Sequence, residues 1–187
     1  GGTLGVGLIT NHGVVVFNRI GDMEVQSAID GTGSLTKQGP DALLLTGANT
    51  YTGGTTLAGG VVSFLNGSLG TTGTIDFSDS AILQWNGSNP QDLSARLSIP
   101  SGVVATLDTM TNHVTFASPL AQAAGTLRKT GFGTLTFSGA AGLSQDIIIS
   151  QGAIVANISS GVGGDDGNYG QKRVTTGKFV LGDADPG

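Results

Sequence analysis

Apolar positions recur along the chain in short runs of three to six residues, each closed by glycine, asparagine, aspartate or serine. Val14 to Phe17, Glu24 to Ile29, Ala42 to Thr46, Val61 to Leu65, Gly73 to Phe77, Ala81 to Trp85 and Val103 to Leu107 are such runs. Val114 to Ala117, Leu135 to Ser138, Ile147 to Ser150, Ala153 to Ile158 and Lys178 to Leu181 continue the series. Many alternate, as Thr74, Ile75, Asp76 and Phe77 do, which is the pattern of a strand with one face inward and one outward. The closing residues are those that tight turns require. One stretch differs. "NPQDLSARL" (89–97) places Asn89 to cap, Pro90 in a first turn, and Leu93 and Leu97 one helical turn apart, so it predicts a short helical excursion at a corner.

The chain also matches itself. "GSLTKQGPDALLLTG" (33–47) aligns with "GTLRKTGFGTLTFSG" (125–139) at a constant shift of 92 residues. Leu35, Lys37, Gly39, Leu43 and Gly47 meet Leu127, Lys129, Gly131, Leu135 and Gly139. The register runs on to pair Gly60 with Gly152 and Val62 with Ile154. Repeated β-rich units that cannot bury their apolar faces alone are the mark of a solenoid. Sandwiches and barrels use similar strands. The short strands and the long shift favour an all-β parallel β-helix, a solenoid in which equivalent strands of successive coils stack. At roughly 20 residues per coil the chain makes about nine coils and a rod on the order of 45 Å long. The whole of 1–187 reads as one such domain, with repeat units at about 14–65 and 103–158 and a final coil or loop over 159–187. In this scheme Leu43 and Leu45 point into the core, while Gly47, Gly53 and Gly54 turn corners at positive φ. Thr50, Thr55 and Thr56 suit strands with laddered hydroxyls.

The segment 33–64 resembles the autotransporter-associated β-strand repeat family, whose pattern runs approximately G-x-L-x-K-x-G-x-G-x-L-x-L-x-G-x-N-x-Y-x-G-x-T. Leu35, Lys37, Gly39, Leu43, Leu45, Gly47, Asn49, Tyr51, Gly53 and Thr55 stand at its marked positions, with Asp41 where the pattern has glycine. The second copy carries Leu127, Lys129, Gly131, Gly133, Leu135, Phe137 and Gly139, but "AAGLSQD" replaces the Asn, Tyr and Gly block. With flanking stretches the resemblance covers most of 11–158. It implies a right-handed parallel β-helix from the passenger of a type V secreted, surface-displayed protein of a Gram-negative bacterium. It supplies no ligand, since fold and activity are separable.

Composition narrows the picture further. Hydrophobic residues make up 38% of the 187, enough for one sizeable core, and 11% are charged, with 33 glycines. Such a chain is too apolar for disorder and too poor in Glu and Lys for helix surfaces. The net charge of −5 and the scattered basic residues form no stripe for a phosphate backbone, which argues against nucleic acid. Cysteine is absent, which removes disulfides and thiol chemistry. No 18-residue apolar run is present, so direct membrane insertion is not expected, and the glycine-rich ends read as those of a fragment.

Candidate chemistry is thin. His12 and His113 each follow an asparagine in a turn before a strand, a structural setting. No G-x-S-x-G elbow occurs. Asp76, Asp79 and Asp108 are the carboxylates that a polysaccharide-cleaving β-helix enzyme would have to bring together. "GGDDGN" (163–168) lacks the repetition that would supply a calcium site. Trp85 reads either as a carbohydrate platform or, more simply, as a buried cap. Lys37 and Lys129 read as a sparse basic row of solvated residues stacked along the rod. No catalytic, cofactor or metal set emerges. The leading expectation is a structural stalk or adhesin serving attachment, autoaggregation or biofilm. Its partner would be a host-surface or neighbouring-cell protein or glycan, or a second copy. The alternatives are a polysaccharide-cleaving enzyme and a spacer for a module elsewhere.

Overall fold

The computed structural model describes residue 4 and residues 6–120, 122–138, 146–157 and 179–181. All strand pairings among them are parallel. One sheet of eight strands stacks Met23–Val25, Ala42–Leu45, Val61–Phe64, Ala81–Trp85, Val104–Asp108, Thr126–Thr130, Ile147–Ile149 and Phe179–Leu181 in chain order. A second, of six, stacks Val14–Asn18, Ser34–Gln38, Thr55–Ala58, Ile75–Phe77, Leu97–Ile99 and Gln122–Ala123. The chain passes from a strand of the six to a strand of the eight, then along a third side, and back. That third side carries Ile9–Thr10 paired with Ile29–Asp30 near one end. Near the other it carries a sheet of His113–Phe116, Thr134–Ser138 and Ala153–Asn157. The result is a parallel β-helix.

Successive rungs of the eight-stranded sheet step by 20, 19, 21, 24, 22 and 20 residues from Met23 through Leu43, Val62, Leu83, Leu107 and Lys129 to Ile149. The described chain therefore makes about seven coils, not nine. The 20-residue period holds for the early rungs and lengthens where "NGSNPQDLSAR" inserts an excursion between sheets. The span 159–187 lies outside the described residues except for Phe179–Leu181, which adds a strand beside Ile147–Ile149.

Alternation sets which side chains enter the core. Along Ser34–Gln38, Leu35 and Lys37 are buried while Ser34, Thr36 and Gln38 are half-buried on the outer face. Leu43 and Leu45 are buried as expected. Inward positions stack in columns, one of them Leu45, Phe64 and Trp85. The Trp85 ring stands edge-on to Phe64 at 5.1 Å and lies 6.1 Å from Phe116, which meets Phe137 at 5.6 Å. Each buried aliphatic residue contributes roughly 2 kcal/mol, and stacked coils supply that burial from both neighbours.

Four expectations need correction. The helical excursion at 89–97 is only a single 3-10 turn, Ser94–Arg96. Asn89 Oδ1 accepts from Gln91 N (3.1 Å) and Asp92 Oδ1 from Ser94 N (2.8 Å), closing local turns that compete with helix. Leu97 is drawn into register with Ile75. The run Glu24 to Ile29 is broken by a corner into Met23–Val25 and Ile29–Asp30. Gly47 and Gly53 do not have positive φ, whereas Gly54 does, at 89°. The first two are glycines because the coils touch there: a Cβ on Gly47 would run into the Ser27 carbonyl, and one on Gly53 would lie 2.7 Å from Gly33.

The fourth correction concerns the lysines. Lys37 and Lys129 are neither solvated nor in one row, being 4% and 0% exposed and belonging to different sheets.

Candidate functional site

Lys37 occupies an inward position, in register between Phe17 below and Leu57 above. Its aliphatic stem fills the place of a core residue and its ammonium turns to the corner that follows, donating to the carbonyls of Gln38 (2.7 Å) and Gly39 (2.9 Å). Those carbonyls are exposed to the interior by the bend, and a buried acceptor without a donor costs about 1–3 kcal/mol. Lys129 repeats the arrangement between Leu107 and Ile149. Its Nζ donates to Thr130 O (2.6 Å), Gly131 O (2.9 Å) and Gln151 O of the next coil (3.4 Å). Burial lowers both pKa values, that of Lys129 to about 8, with Asp41 and Asp108 respectively pulling the other way.

Glycine at two further positions completes each corner. Gly39 and Gly131 hold φ of 77° and 75°, which aims their carbonyls at the ammonium. One coil later Gly60 and Gly152 lie directly over it, where a Cβ would come within 2.8 Å of Lys37 Nζ and 2.9 Å of Lys129 Nζ. Lysine, the bend glycine and the overlying glycine thus form one unit, built twice. Gly133 is closely packed on the Asn112 carbonyl of the coil below. Its counterpart Asp41 instead accepts from Gly21 N through Oδ2 at 2.8 Å.

The first unit continues into a second corner. Asn49 Oδ1 accepts from Ile29 N of the preceding coil (2.8 Å) and its Nδ2 donates to Ser68 O of the following one (2.6 Å). Tyr51 is buried with its hydroxyl 2.6 Å from Thr55 Oγ1. The equivalent stretch of the second unit, including Gly139, lies outside the described residues. Asn89 and Asn112 play the bridging part in later coils: Asn89 Nδ2 donates to Phe64 O (3.0 Å), Asn112 Nδ2 to Trp85 O (2.9 Å), and Asn112 Oδ1 accepts from Asn89 N (2.9 Å).

Residues 35–64 and 124–156, the spans that hold these two units, match the family described as the passenger-associated-transport-repeat. The chain carries two passenger-associated-transport-repeats. No curated protein and no solved structure matches it at a significant level. The repeats and the β-solenoid that contains them fit an autotransporter passenger domain. The two repeats do not lie on the same faces. The first runs from the six-stranded sheet into the eight-stranded one, the second from the eight-stranded sheet into the three-stranded one. Ninety-two residues correspond to four coils and one side, so the same strand, corner and strand unit builds two different edges of the prism.

The carboxylates considered for cleavage chemistry lie on different elements, each with its own partner. Asp76 sits in the six-stranded sheet and accepts from Ser98 Oγ (2.7 Å). Asp79 lies in the bend before Ala81–Trp85 and accepts from Ser80 N (2.7 Å). Asp108 ends its strand in the eight-stranded sheet, taking Gln84 Nε2 and Met110 N at 2.8 Å each. No grouping of histidine, aspartate and glutamate that could hold a metal exists among the described residues. His12 and His113 are both exposed, His12 beside Thr32 Oγ1 at 3.3 Å. Trp85 is fully buried, its Nε1 donating to Gln91 O (3.0 Å).

One structural residue had no sequence signal. Arg96, leaving the 3-10 turn, donates to the carbonyls of Leu69 (2.7 Å), Gly70 (3.2 Å), Thr72 (2.9 Å) and Gly73 (2.8 Å) in the coil below. It fastens the glycine-threonine bend of 69–73, whose carbonyls have no strand partners there. Its role depends on fold geometry alone.

Proposed function

We propose that this chain is a length of surface-displayed passenger that serves as a stalk and adhesive rod, for attachment, aggregation or biofilm. The observation that carries this reading is the use to which the chain puts its chemistry. The lysines of both repeats are spent on the carbonyls of the corner that follows each, and Arg96 and the bridging asparagines on backbone carbonyls and amides between coils, so the repeat's marked polar residues build the rod. A cysteine-free solenoid of this kind needs no oxidising step after crossing a membrane. Weak contacts along its outer faces add with length. The partner would be a protein or glycan of a host or neighbouring cell.

The test is to express the full parent gene in its host and in a non-adherent strain. Digestion of this segment by external protease, together with new binding to cells or to a glycan array, is the expected result. Digestion without any gain of binding would leave the chain as a spacer, and protection from protease would overturn surface display.

A further inference from the structure

A corner pocket beside the 3-10 excursion is lined by side chains that the rod does not use. Ser88, Asn89 and Pro90 of one coil and Thr111, Asn112 and His113 of the next line an open pocket of about 500 Å³. Asn89 and Asn112 are fixed there by the bonds between coils described above. Ser88, Thr111 and His113 are exposed, and their side chains make no hydrogen bond with another described residue.

Three departures from the regular coil meet at this place. The coil that carries Ser88 to Pro90 takes 24 residues from Leu83 to Leu107. Met110 holds φ of 49°, the one non-glycine residue in the left-handed region among those described. Asp108 Oδ1 accepts its N–H at 2.8 Å and Asn112 N donates to Thr109 O at 2.8 Å, closing the bend from which Thr111 and His113 emerge. Such a backbone costs about 1–3 kcal/mol, and strain of this kind concentrates at ligand sites. The third departure is Phe132. His113 pairs with Thr134 and Gly133 packs on the Asn112 carbonyl, so the register sets Phe132 over Thr111, one rung or about 4.8 Å along the axis. Its ring is 80% exposed, whereas those of Phe64, Trp85, Phe116 and Phe137 are buried. The first repeat has Pro40 at the same position, so the coil does not require an aromatic residue there.

We infer that Phe132 and this pocket bind a neutral glycan. The electron-rich face of an exposed ring attracts the weakly positive C–H face of a pyranose, and the hydroxyls of Ser88 and Thr111 and the His113 imidazole supply partners for sugar hydroxyls. The pocket has the size of a small-molecule site and falls well short of a protein interface. Its lining holds no aspartate, glutamate, lysine or arginine. The neighbouring carboxylates have both oxygens occupied, Asp92 by Ser94 N and Ala117 N, Asp108 by Gln84 Nε2 and Met110 N. A sialylated or uronic sugar would therefore find no lysine or arginine in the lining to pair its carboxylate. The inference rests on the adhesive reading above and gives it a ligand class and a place on the rod.

A glycan array of neutral hexose oligosaccharides, with sialylated and sulfated counterparts, tests it on the purified chain. Wild type binds members of the neutral set. Phe132→Ala weakens that binding about tenfold or more, and Phe132→Trp retains it. Thr111→Val combined with His113→Ala weakens it without touching the ring. Val16→Ala, an exposed position on the six-stranded sheet, is the control and changes nothing. Melting curves matched to wild type establish that each variant is folded. Binding of no neutral glycan, binding confined to charged glycans, or binding that both Phe132→Ala and the double variant leave unchanged would each overturn the proposal. Cells displaying the parent protein separate this from the adhesive reading. Adhesion that Phe132→Ala leaves intact refutes this site alone, whereas glycan binding by the purified chain without adhesion of those cells refutes the adhesive role and upholds the site.

Discussion

Gly152 lies directly above the Lys129 ammonium, so close that a Cβ there would stand 2.9 Å from Nζ and press into the Gly131 carbonyl that Nζ holds. Gly60 stands in the same relation to Lys37. The spacing of lysine, bend glycine and overlying glycine is therefore a contact between coils, and it explains why the repeat's later glycine is part of the pattern.

Gly60→Ala and Gly152→Ala should each destabilise the chain by about 2 kcal/mol or more. Positive φ of 64° and 71° strains any L residue, and the new methyl must displace the ammonium from its carbonyls. Gly67→Ala is the control, because a Cβ there meets nothing within 4 Å although its φ is also positive. Thermal unfolding that ranks all three alike would show that backbone strain, not the lysine contact, dominates.

Lys129 gives a pH signature with an unusual sign. Its folded pKa of about 8 lies below the ordinary 10.5, so between those values the unfolded chain binds the proton and the folded chain does not. Stability contributed by this group therefore rises with pH from about 8 toward 10.5. Tyr51, whose pKa burial raises, opposes this near and above pH 10. The difference in melting temperature between wild type and Lys129→Met should accordingly widen between pH 7.5 and 9.5. A constant difference would mean that the lysine is as free to ionise when folded as when unfolded.

Asn49→Ala removes both the acceptor for Ile29 N and the donor to Ser68 O in a buried corner. A loss of about 2–4 kcal/mol is expected, and hydrogen exchange at the Ile29 amide should accelerate more than at amides three coils away. Equal acceleration throughout would indicate global unfolding with no local role for the side chain.

Arg96→Ala frees four carbonyls of the 69–73 bend and should cost about 1–3 kcal/mol. Arg96→Lys should recover little of it, since one ammonium cannot span the four acceptors that the guanidinium reaches. Full recovery by lysine would show that charge, not shape, matters at this site. Trp85, the only tryptophan, is buried one rung from these residues and offers the readout: blue-shifted emission when folded, red-shifted on unfolding.

Leu43, Leu45 and the alternating runs around them were legible as inward-facing strand residues because period-two burial is a local property of the backbone. The six-stranded sheet was harder to see. Ser34–Gln38 and Thr55–Ala58 are rich in threonine, serine and lysine, and their strand character comes from stacking on the coils either side. Lys37 and Lys129 were misread for a related reason. A lysine in an outward position and one whose stem fills a core column look alike in sequence, and only the carbonyls gathered at the next bend make the buried position favourable.

The sequence by itself determined the class of fold and the repeat unit, since alternation and glycine spacing act over a few residues. Only the tertiary structure decided how many coils there are and on which faces the two repeats lie. Coil length varies from 19 to 24 residues with each corner's excursion, so a shift of 92 cannot be converted into an angle about the axis. It also decided that Asp76 meets Ser98 and Asp108 meets Gln84, because register between coils, and not distance along the chain, sets which side chains meet.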